Sequence, residues 1–123
     1  MARATPSVLF TLLFFIFISG SLMKIIVGQE SNQVTWCLAK PSTSDVLLEN
    51  NIEYACASLG DCSIINAGGA CHEPNTLINR ASVVMNLYYQ QNKRNFWNCD
   101  FLDSGLVSVT DPSYGNCTYK AEE

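Results

Sequence analysis

Six cysteines constrain this chain more than any other feature, because so many in 123 residues are normally bonded to one another or to a metal. They are Cys37, Cys56, Cys62, Cys71, Cys99 and Cys117. A zinc site favours Cys-x-x-Cys pairs or added histidines, but no such pair occurs and His72 is the single histidine. The choice between disulfides and metal therefore depends on the compartment in which the chain folds.

The N-terminus predicts export. Arg3 precedes an uncharged run over residues 8–18, VLFTLLFFIFI, whose length suits the apolar core of a signal peptide. This run is shorter than the roughly 20 residues that a membrane-spanning helix needs, and Lys24 interrupts its extension. We expect a signal peptide over residues 1–28, while the small residues at 19–21 offer an alternative cleavage site.

Export changes the meaning of the cysteines and of the charge. An oxidising compartment favours three disulfides, although six cysteines allow fifteen pairings and sequence alone selects none of them. The chain has 7 basic and 11 acidic residues, and cleavage removes Arg3 and Lys24 from the basic group. This balance argues against a nucleic-acid partner, which needs clustered Lys and Arg. Because residues 120–123 lack the hydrophobic tail of a glycolipid anchor, we also expect no membrane anchor.

Two helices are predicted from periodic apolar stripes and from their capping residues. The first covers about 45–58, after the hydroxyl side chains of residues 42–44 and before Gly60, which suits a left-handed C-terminal cap. The second begins after residues 74–76 and ends near 91–92. Both are long enough to bury one face each against a common core.

The pattern that follows the second helix is typical of β-structure. Residues 106–110 are rich in β-branched side chains and predict a strand, and residues 117–119 predict a short final strand. We therefore predict a small, disulfide-rich α+β fold in which two α-helices pack on a small antiparallel β-sheet. This domain covers residues 36–119, after a polar leader over 29–35 and before a short tail over 120–123.

Catalytic chemistry finds little support in the sequence. The carboxylates are scattered, and nothing in their spacing places two of them across a sugar, as glycoside hydrolysis requires. No Gly-x-Ser-x-Gly motif or phosphate-binding loop occurs. His72 adjoins Cys71, but nucleophile pairs are spatial neighbours, so His72 is expected in a solvated loop. We predict that the protein is not an enzyme and holds no cofactor or metal.

The aromatic residues are more informative about function. Those of the mature domain are Trp36, Tyr54, Tyr88, Tyr89, Phe96, Trp97, Phe101, Tyr114 and Tyr119. About half are expected in the core, because rings bury large areas. Tyr88 and Tyr89 point about 100° apart on a helix, so that one can enter the core while the other lies at a rim. Exposed rings stack on sugar rings, and the amides of residues 90–92 can bind hydroxyl groups, which together favours a neutral polysaccharide ligand.

An N-glycosylation sequon lies near the end of the domain. Asn116-Cys117-Thr118 fits the Asn-x-Ser/Thr acceptor pattern, which is used in exported proteins. Asn116 is therefore a candidate glycosylation site. Its occupancy stays open, because the middle residue of the sequon is an expected disulfide cysteine.

Several short motifs follow one another along the chain. They are Trp36-Cys37-Leu38-Ala39-Lys40-Pro41, Tyr54-Ala55-Cys56, Gly68-Gly69-Ala70-Cys71, Glu73-Pro74-Asn75-Thr76, Ala81-Ser82, Met85-Asn86, Tyr88-Tyr89-Gln90, Cys99-Asp100-Phe101 and the run 111–119. In this order, and with all six cysteines in place, they resemble the plant X-eight-type domain, which is also classed as carbohydrate-binding module family 43. The resemblance covers residues 36–119.

The resemblance implies a non-catalytic module that binds β-1,3-glucan, such as callose or laminarin-like chains. It is strongest to the small, secreted, stand-alone members, which include a pollen allergen, and extends to callose-binding members at plasmodesmata. It also implies the disulfides Cys37–Cys99, Cys56–Cys62 and Cys71–Cys117. On this basis we expect a secreted monomer, located in the extracellular space or the cell wall, whose partner is β-1,3-glucan.

The candidate glucan-binding residues combine aromatic rings with one carboxylate. They are Tyr88, Tyr89, Phe101, Asp111 and Tyr114. Only one of the adjacent tyrosines is expected to face the ligand, and Trp36 is expected to be structural. The alternative function is an extracellular protein partner, or a modulator of a β-1,3-glucanase. An exposed apolar patch away from the glucan groove would favour this alternative.

Overall fold

The structure, a computed structural model, describes residues 33–121. The predicted signal peptide and the start of the polar leader lie outside these residues. In chain order the elements are strand β1 (Trp36–Ala39), helix α1 (Asp45–Leu59), a 3₁₀ turn (Ser63–Ile65), helix α2 (Leu77–Gln91), a second 3₁₀ turn (Phe96–Cys99) and strand β2 (Gly105–Ser108).

Both helices begin where the local sequence predicts. Ser44 Oγ accepts a hydrogen bond from the Leu47 N–H (3.3 Å) at the start of α1. Thr76 Oγ1 accepts one from the Asn79 N–H (3.2 Å) at the start of α2. Gly60, with φ at 81°, ends α1 in the left-handed conformation that glycine adopts without strain. The predicted extent of both helices is confirmed to within a residue or two.

The sheet contains two antiparallel strands, paired from Trp36 opposite Ser108 to Ala39 opposite Gly105. The strand predicted just before the C-terminal turns is present as β2. Its partner is β1, at the start of the domain, rather than the C-terminal segment. The prediction of a final strand over residues 117–119 is therefore wrong.

The C-terminal segment forms no ladder because its backbone bonds elsewhere. Tyr114 and Cys117 form an isolated bridge across a tight turn. The Tyr119 N–H donates to Ser113 Oγ (2.8 Å), and the Tyr119 carbonyl accepts from Trp36 Nε1 (3.2 Å). Side chains thus form the hydrogen bonds to the Tyr119 backbone that a third strand would otherwise have formed.

The outer edge of β1 bonds to polar side chains of α2, where a sheet would otherwise continue with another strand. Three bonds run along it: Ala39 N–H to Ser82 Oγ (3.0 Å), Cys37 N–H to Asn86 Oδ1 (3.1 Å), and Gln90 Nε2 to the Thr35 carbonyl (2.9 Å). Ser82, Asn86 and Gln90 follow at four-residue spacing, so they share one face of α2. All three are buried. This polar stripe therefore protects the strand edge and fixes the helix against it.

The hydrophobic core forms two clusters that both draw on β1 and α2. Trp36, Val84 and Tyr119 belong to one of them, whereas Met85 and Tyr89 belong to the other. Trp36 is buried, with its indole N–H bonded, so its structural role agrees with expectation. Burial also raises the pKa of Tyr119, which therefore stays uncharged in the core.

Three disulfides hold the segments that lack regular structure. They are Cys37–Cys99, Cys56–Cys62 and Cys71–Cys117, so the pairing implied by the resemblance is confirmed. The first ties β1 to the turn before β2, the second closes the end of α1, and the third attaches the C-terminal segment to the loop before α2. The predicted class, a small disulfide-rich α+β fold with two helices on an antiparallel sheet, is confirmed.

Within residues 33–121, no helix is long and apolar enough to cross a membrane. In the same part of the chain, no three His, Cys, Asp or Glu side chains are grouped so that they could hold a metal ion.

The polar stripe generates a prediction about stability. Replacing Asn86 with Ala is expected to lower the free energy of unfolding by about 2–4 kcal/mol, because the buried Cys37 N–H loses its acceptor and a void is left. Urea denaturation with the disulfides intact measures this loss. Gln91→Ala, at the exposed end of the same helix, is the control and should change stability by about 0.5 kcal/mol or less. A similarly small change for Asn86→Ala would contradict the role of the stripe.

Candidate functional site

An open cleft of about 500 Å³ lies between α1, the C-terminal half of α2, the second 3₁₀ turn and the segment that follows this turn. Its lining combines aromatic, aliphatic and amide side chains. The lining residues are Leu47, Asn50, Asn51, Tyr54, Tyr88, Trp97, Asn98, Phe101 and Leu102. Ligand sites are typically concave, mostly apolar and furnished with a few polar groups, and this cleft has those properties.

Helix periodicity explains why α1 contributes one whole wall of the cleft. Leu47, Asn50, Asn51 and Tyr54 recur at spacings of three and four, which places them on one face. The core-facing residues of the same helix, such as Leu48, lie on the adjacent face. The cleft wall is thus the edge of the helix next to its buried stripe.

Three aromatic rings form the floor of the cleft in an edge-to-face arrangement. The ring centroids of Tyr54 and Tyr88 are 5.5 Å apart, as are those of Tyr88 and Phe101. Those of Tyr54 and Phe101 are 6.4 Å apart. Such pairs are favourable beyond the area they bury, so the rings hold one another in place. Tyr54 is nevertheless 61% exposed, which leaves ring surface open to a ligand.

Among the described residues that line the cleft, none carries a charged side chain. The hydroxyls of Tyr54 and Tyr88 lie 3.3 Å apart, and this hydrogen bond, with partial burial, raises the pKa of Tyr88 above its usual value. Tyr88 thus presents a neutral hydroxyl at neutral pH. Asn50 and Asn98 add amide groups that can donate and accept hydrogen bonds. The chemistry of the cleft therefore suits a neutral, hydroxylated ligand with apolar faces.

The segment that carries Phe101 has an uncommon backbone. Phe101, Leu102 and Asp103 have φ values of 44°, 55° and 62°, in the left-handed region that non-glycine residues rarely adopt. Lys40 Nζ donates to Asp103 Oδ1 (2.8 Å), and this bond lowers the pKa of the Asp103 carboxyl. Such strained conformations persist only where the surrounding structure holds them, and they cluster at functional sites.

Buried bonds from α1 and β2 hold this segment. Asn51 Nδ2 donates to Ser104 Oγ (2.8 Å), which in turn donates to the Phe101 carbonyl (2.5 Å). A Cβ on Gly105 would lie 1.5 Å from the Cys99 carbonyl oxygen, so only glycine allows this close approach. The cleft is therefore built by the same contacts that fix the start of β2.

The structure places two of the five predicted site residues in the cleft, namely Tyr88 and Phe101. Tyr89 is only 2% exposed, and its hydroxyl bonds to Thr35 Oγ1 (2.7 Å). Of the adjacent tyrosines, Tyr88 thus faces the cleft and Tyr89 is in the core. The amide of Gln90 is likewise buried in the polar stripe and does not reach the cleft.

Tyr114 and Asp111 lie apart from the cleft. The Tyr114 hydroxyl donates to the Glu73 carbonyl (2.6 Å) or to Asn79 Oδ1 (2.8 Å), beside the N-terminus of α2. Asn79 is about 14 Å from Tyr88 along the helix axis at 1.5 Å per residue. Asp111 accepts from the hydroxyl and the N–H of Ser113, and these bonds lower its pKa. Both residues hold the C-terminal turns in place.

Sequence reasoning did not select Tyr54 and Trp97, which also line the cleft. For Tyr54 a signal was available, because it continues the stripe of Leu47, Asn50 and Asn51 next to the buried face of α1. Trp97 offered no such signal, since it lies on a short 3₁₀ turn whose orientation depends on the disulfide at Cys99.

The candidate glycosylation site lies on the turn bridged by Tyr114 and Cys117. Asn116 is exposed there, whereas Cys117 is buried. Asn116 is not among the residues that line the cleft.

Residues 35–106 match the model of the X8 domain. The chain belongs to the X8 domain family. Every residue that lines the cleft falls within the matched range, whereas Asp111, Tyr114 and Asn116 follow it. The motifs and cysteines that carried the resemblance therefore identify the family correctly.

Three relatives illustrate the range of proteins in which X8 domains occur. A glucan endo-1,3-β-D-glucosidase of Olea europaea is 52% identical over 85 residues, which is 69% of this chain and 18% of that enzyme. Major pollen allergen Ole e 10 of Olea europaea is 44% identical over 85 residues, 68% of this chain and 69% of the allergen. Plasmodesmata callose-binding protein 5 of Arabidopsis thaliana is 36% identical over 110 residues, 85% of this chain and 61% of the relative. The chain spans under a fifth of the glucosidase.

The bonds beneath the Phe101 segment generate a prediction about local stability. Replacing Ser104 with Ala is expected to lower the free energy of unfolding by about 1–3 kcal/mol, because the Asn51 amide loses a buried hydrogen-bond partner. Amide hydrogen exchange should show faster opening at Gly105. Ser108→Ala removes bonds that are exposed and serves as the control. Equal exchange rates in the two variants would contradict the proposed support.

Proposed function

We propose that this protein is a non-catalytic carbohydrate-binding module for β-1,3-glucan, and that the cleft is its sugar-binding site. The observation that carries the proposal is the described lining of the cleft, which combines the rings of Tyr54, Tyr88, Trp97 and Phe101 with the amides of Asn50 and Asn98 and includes no charged side chain. Aromatic rings stack on the apolar faces of sugar rings, and amides bond to the hydroxyl groups. Tyr88 and Phe101 retain the binding role that the sequence suggested, and Tyr54 and Trp97 join them.

The relatives support the choice of glucan. Two of the three are named for β-1,3-glucan hydrolysis or callose binding, and callose is a β-1,3-glucan. This chain's match to the glucosidase is confined to a small part of that enzyme. A binding role for the shared part is consistent with both names, because a hydrolase benefits from a module that holds it on its polymer substrate.

The cleft also supports the absence of catalysis. Hydrolysis of a glycosidic bond requires two carboxyl groups that face the sugar from opposite sides. No aspartate or glutamate lines the cleft in the described part of the chain. Glu53 and Asp100 adjoin Tyr54 and Phe101 in sequence, but neither is among the lining residues. The described side chains of the cleft can therefore bind a sugar, but they do not supply the carboxyl groups that hydrolysis requires.

We further propose that the protein acts outside the cell, in or near the cell wall, as a monomer. Three disulfides are expected of a small domain in an oxidising compartment. Export through the signal peptide over residues 1–28 supplies that compartment. The sequon at Asn116 would then meet the glycosylation machinery on the way.

The second candidate function is binding to an extracellular protein, such as a β-1,3-glucanase. Two exposed valines favour it, Val107 on β2 and Val109 just after it, because they lie outside the cleft. Alanine or serine in their place would weaken a protein complex and leave glucan binding unchanged.

Substituting one ring in the cleft tests the main proposal. Tyr88→Ala and Tyr54→Ala are each expected to weaken retention on laminarin in affinity gel electrophoresis by about tenfold, because each removes a stacking surface. Tyr114→Ala is the matched control, since it also removes a partly exposed tyrosine and should bind as the wild type does. Near-ultraviolet circular dichroism verifies the fold of each variant.

Two outcomes would contradict the proposal. If wild-type protein binds no β-1,3-glucan, the assigned ligand is wrong. If it binds but the Tyr114 variant loses affinity and the two cleft variants do not, the site lies at the N-terminus of α2 instead.

The mass of the secreted protein tests the proposed processing. The mature chain is expected to begin at Gln29 and to carry a glycan on Asn116, which peptide mass spectrometry measures directly. The Asn116→Gln variant should lose the added glycan mass and still bind laminarin, because Asn116 is outside the cleft. An unprocessed N-terminus in protein recovered from the medium would contradict the signal-peptide assignment.

A further inference from the structure

The aromatic surface of the cleft continues beyond its lining residues. Phe96 is 74% exposed and does not line the cleft, but its ring packs against Trp97, which does. The two ring centroids are 5.5 Å apart with an angle of 76° between the planes. Trp97 is itself 62% exposed. A ligand that leaves the cleft past Trp97 therefore meets the ring of Phe96 next.

The backbone holds Phe96 in this position. Asn95 Nδ2 donates to the Asn92 carbonyl at the end of α2 (3.1 Å). The Asn98 N–H donates to the Asn95 carbonyl (2.8 Å), which closes the 3₁₀ turn, and Cys99 anchors the turn through its disulfide. Phe96 is thus presented on a fixed turn, so that little conformational entropy is lost when a ligand contacts it.

The proposed ligand is a polymer, whereas the cleft is finite. A cleft of about 500 Å³ encloses only part of such a chain, and the remaining sugar units must lie on the protein surface or in water. An apolar ring beside the exit offers those units the same kind of stacking contact that the cleft floor offers. Because the rings of Trp97 and Phe96 are in contact, the ligand expected at Phe96 is the next stretch of the same glucan chain.

We infer that Phe96 forms an outer stacking platform that extends the glucan site and gives the protein a preference for long chains. This inference rests on the proposed function of the cleft. Short oligomers fill the cleft and do not reach Phe96. Longer oligomers gain the additional contact, so their affinity rises with length until the platform is occupied.

Calorimetry with β-1,3-linked glucose oligomers of increasing length tests the inference. The Phe96→Ala variant is expected to bind the shortest oligomers that the wild type recognises with unchanged affinity. For the hexamer or longer chains its affinity should fall by about three- to tenfold, because one ring contact is lost. Phe96→Tyr keeps the ring and should restore the dependence on length. Trp97→Ala is expected to lose affinity at every length, since Trp97 lines the cleft.

The outcomes separate this inference from the proposed function. If wild type binds oligomers but Phe96→Ala binds all lengths as the wild type does, the platform does not exist. If Phe96→Ala loses affinity equally at all lengths, Phe96 acts by positioning Trp97 and the inference is again overturned. If wild type binds no oligomer of any length, the proposed function itself fails.

Discussion

The fold depends on the hydrogen bonds between one face of α2 and the edge of β1. Ser82, Asn86 and Gln90 satisfy backbone groups that a further strand would normally pair. Unpaired backbone groups at a buried edge are costly, so the helix must meet the strand in a single register. That register decides which residues of α2 enter the core and which reach the surface. A sheet of only two strands is sufficient because the helix supplies its third partner.

This constraint explains how the disulfides and the cleft are connected. With β1 fixed on α2, Cys37 is positioned to bond Cys99, and that disulfide sets the start of the segment that carries Phe101. The opposite end of the segment is fixed by Ser104, whose backbone carbonyl accepts from the Lys40 N–H (2.8 Å) and whose hydroxyl reaches α1 through Asn51. The cleft thus lies between the two helices and the segment that carries Phe101, and this segment is held in place through both strands.

Local signals made the helices predictable, whereas the remaining features depended on contacts distant in sequence. Ser44 and Gly60 mark the ends of α1 within the sequence itself. By contrast, β1 is short and its partner lies about seventy residues away, so no local alternation revealed it. The spacing of Tyr88 and Tyr89 indicated that one would be buried and the other at a rim. Which one entered the core depended on the register of α2 against β1, and that register is set by polar side chains rather than by the apolar stripe.

The residues of the cleft were also difficult to predict from the sequence, because their roles depend on contacts with residues that are distant in sequence. Tyr114 was predicted to bind the ligand, but its hydroxyl instead bonds the C-terminal turn to the Glu73 carbonyl and to Asn79 on α2. Tyr54 was not selected from the sequence, yet its ring completes the aromatic floor. The exposure of an aromatic side chain is therefore not sufficient to identify it as a candidate ligand-binding residue. What distinguishes Tyr54, Tyr88 and Phe101 is that their rings contact one another edge to face, so that they form a pre-organised surface at low entropic cost for a ligand. A rigid surface of this kind, with no charged side chain among its described residues, suits the shape and the stacking faces of the proposed polymer ligand.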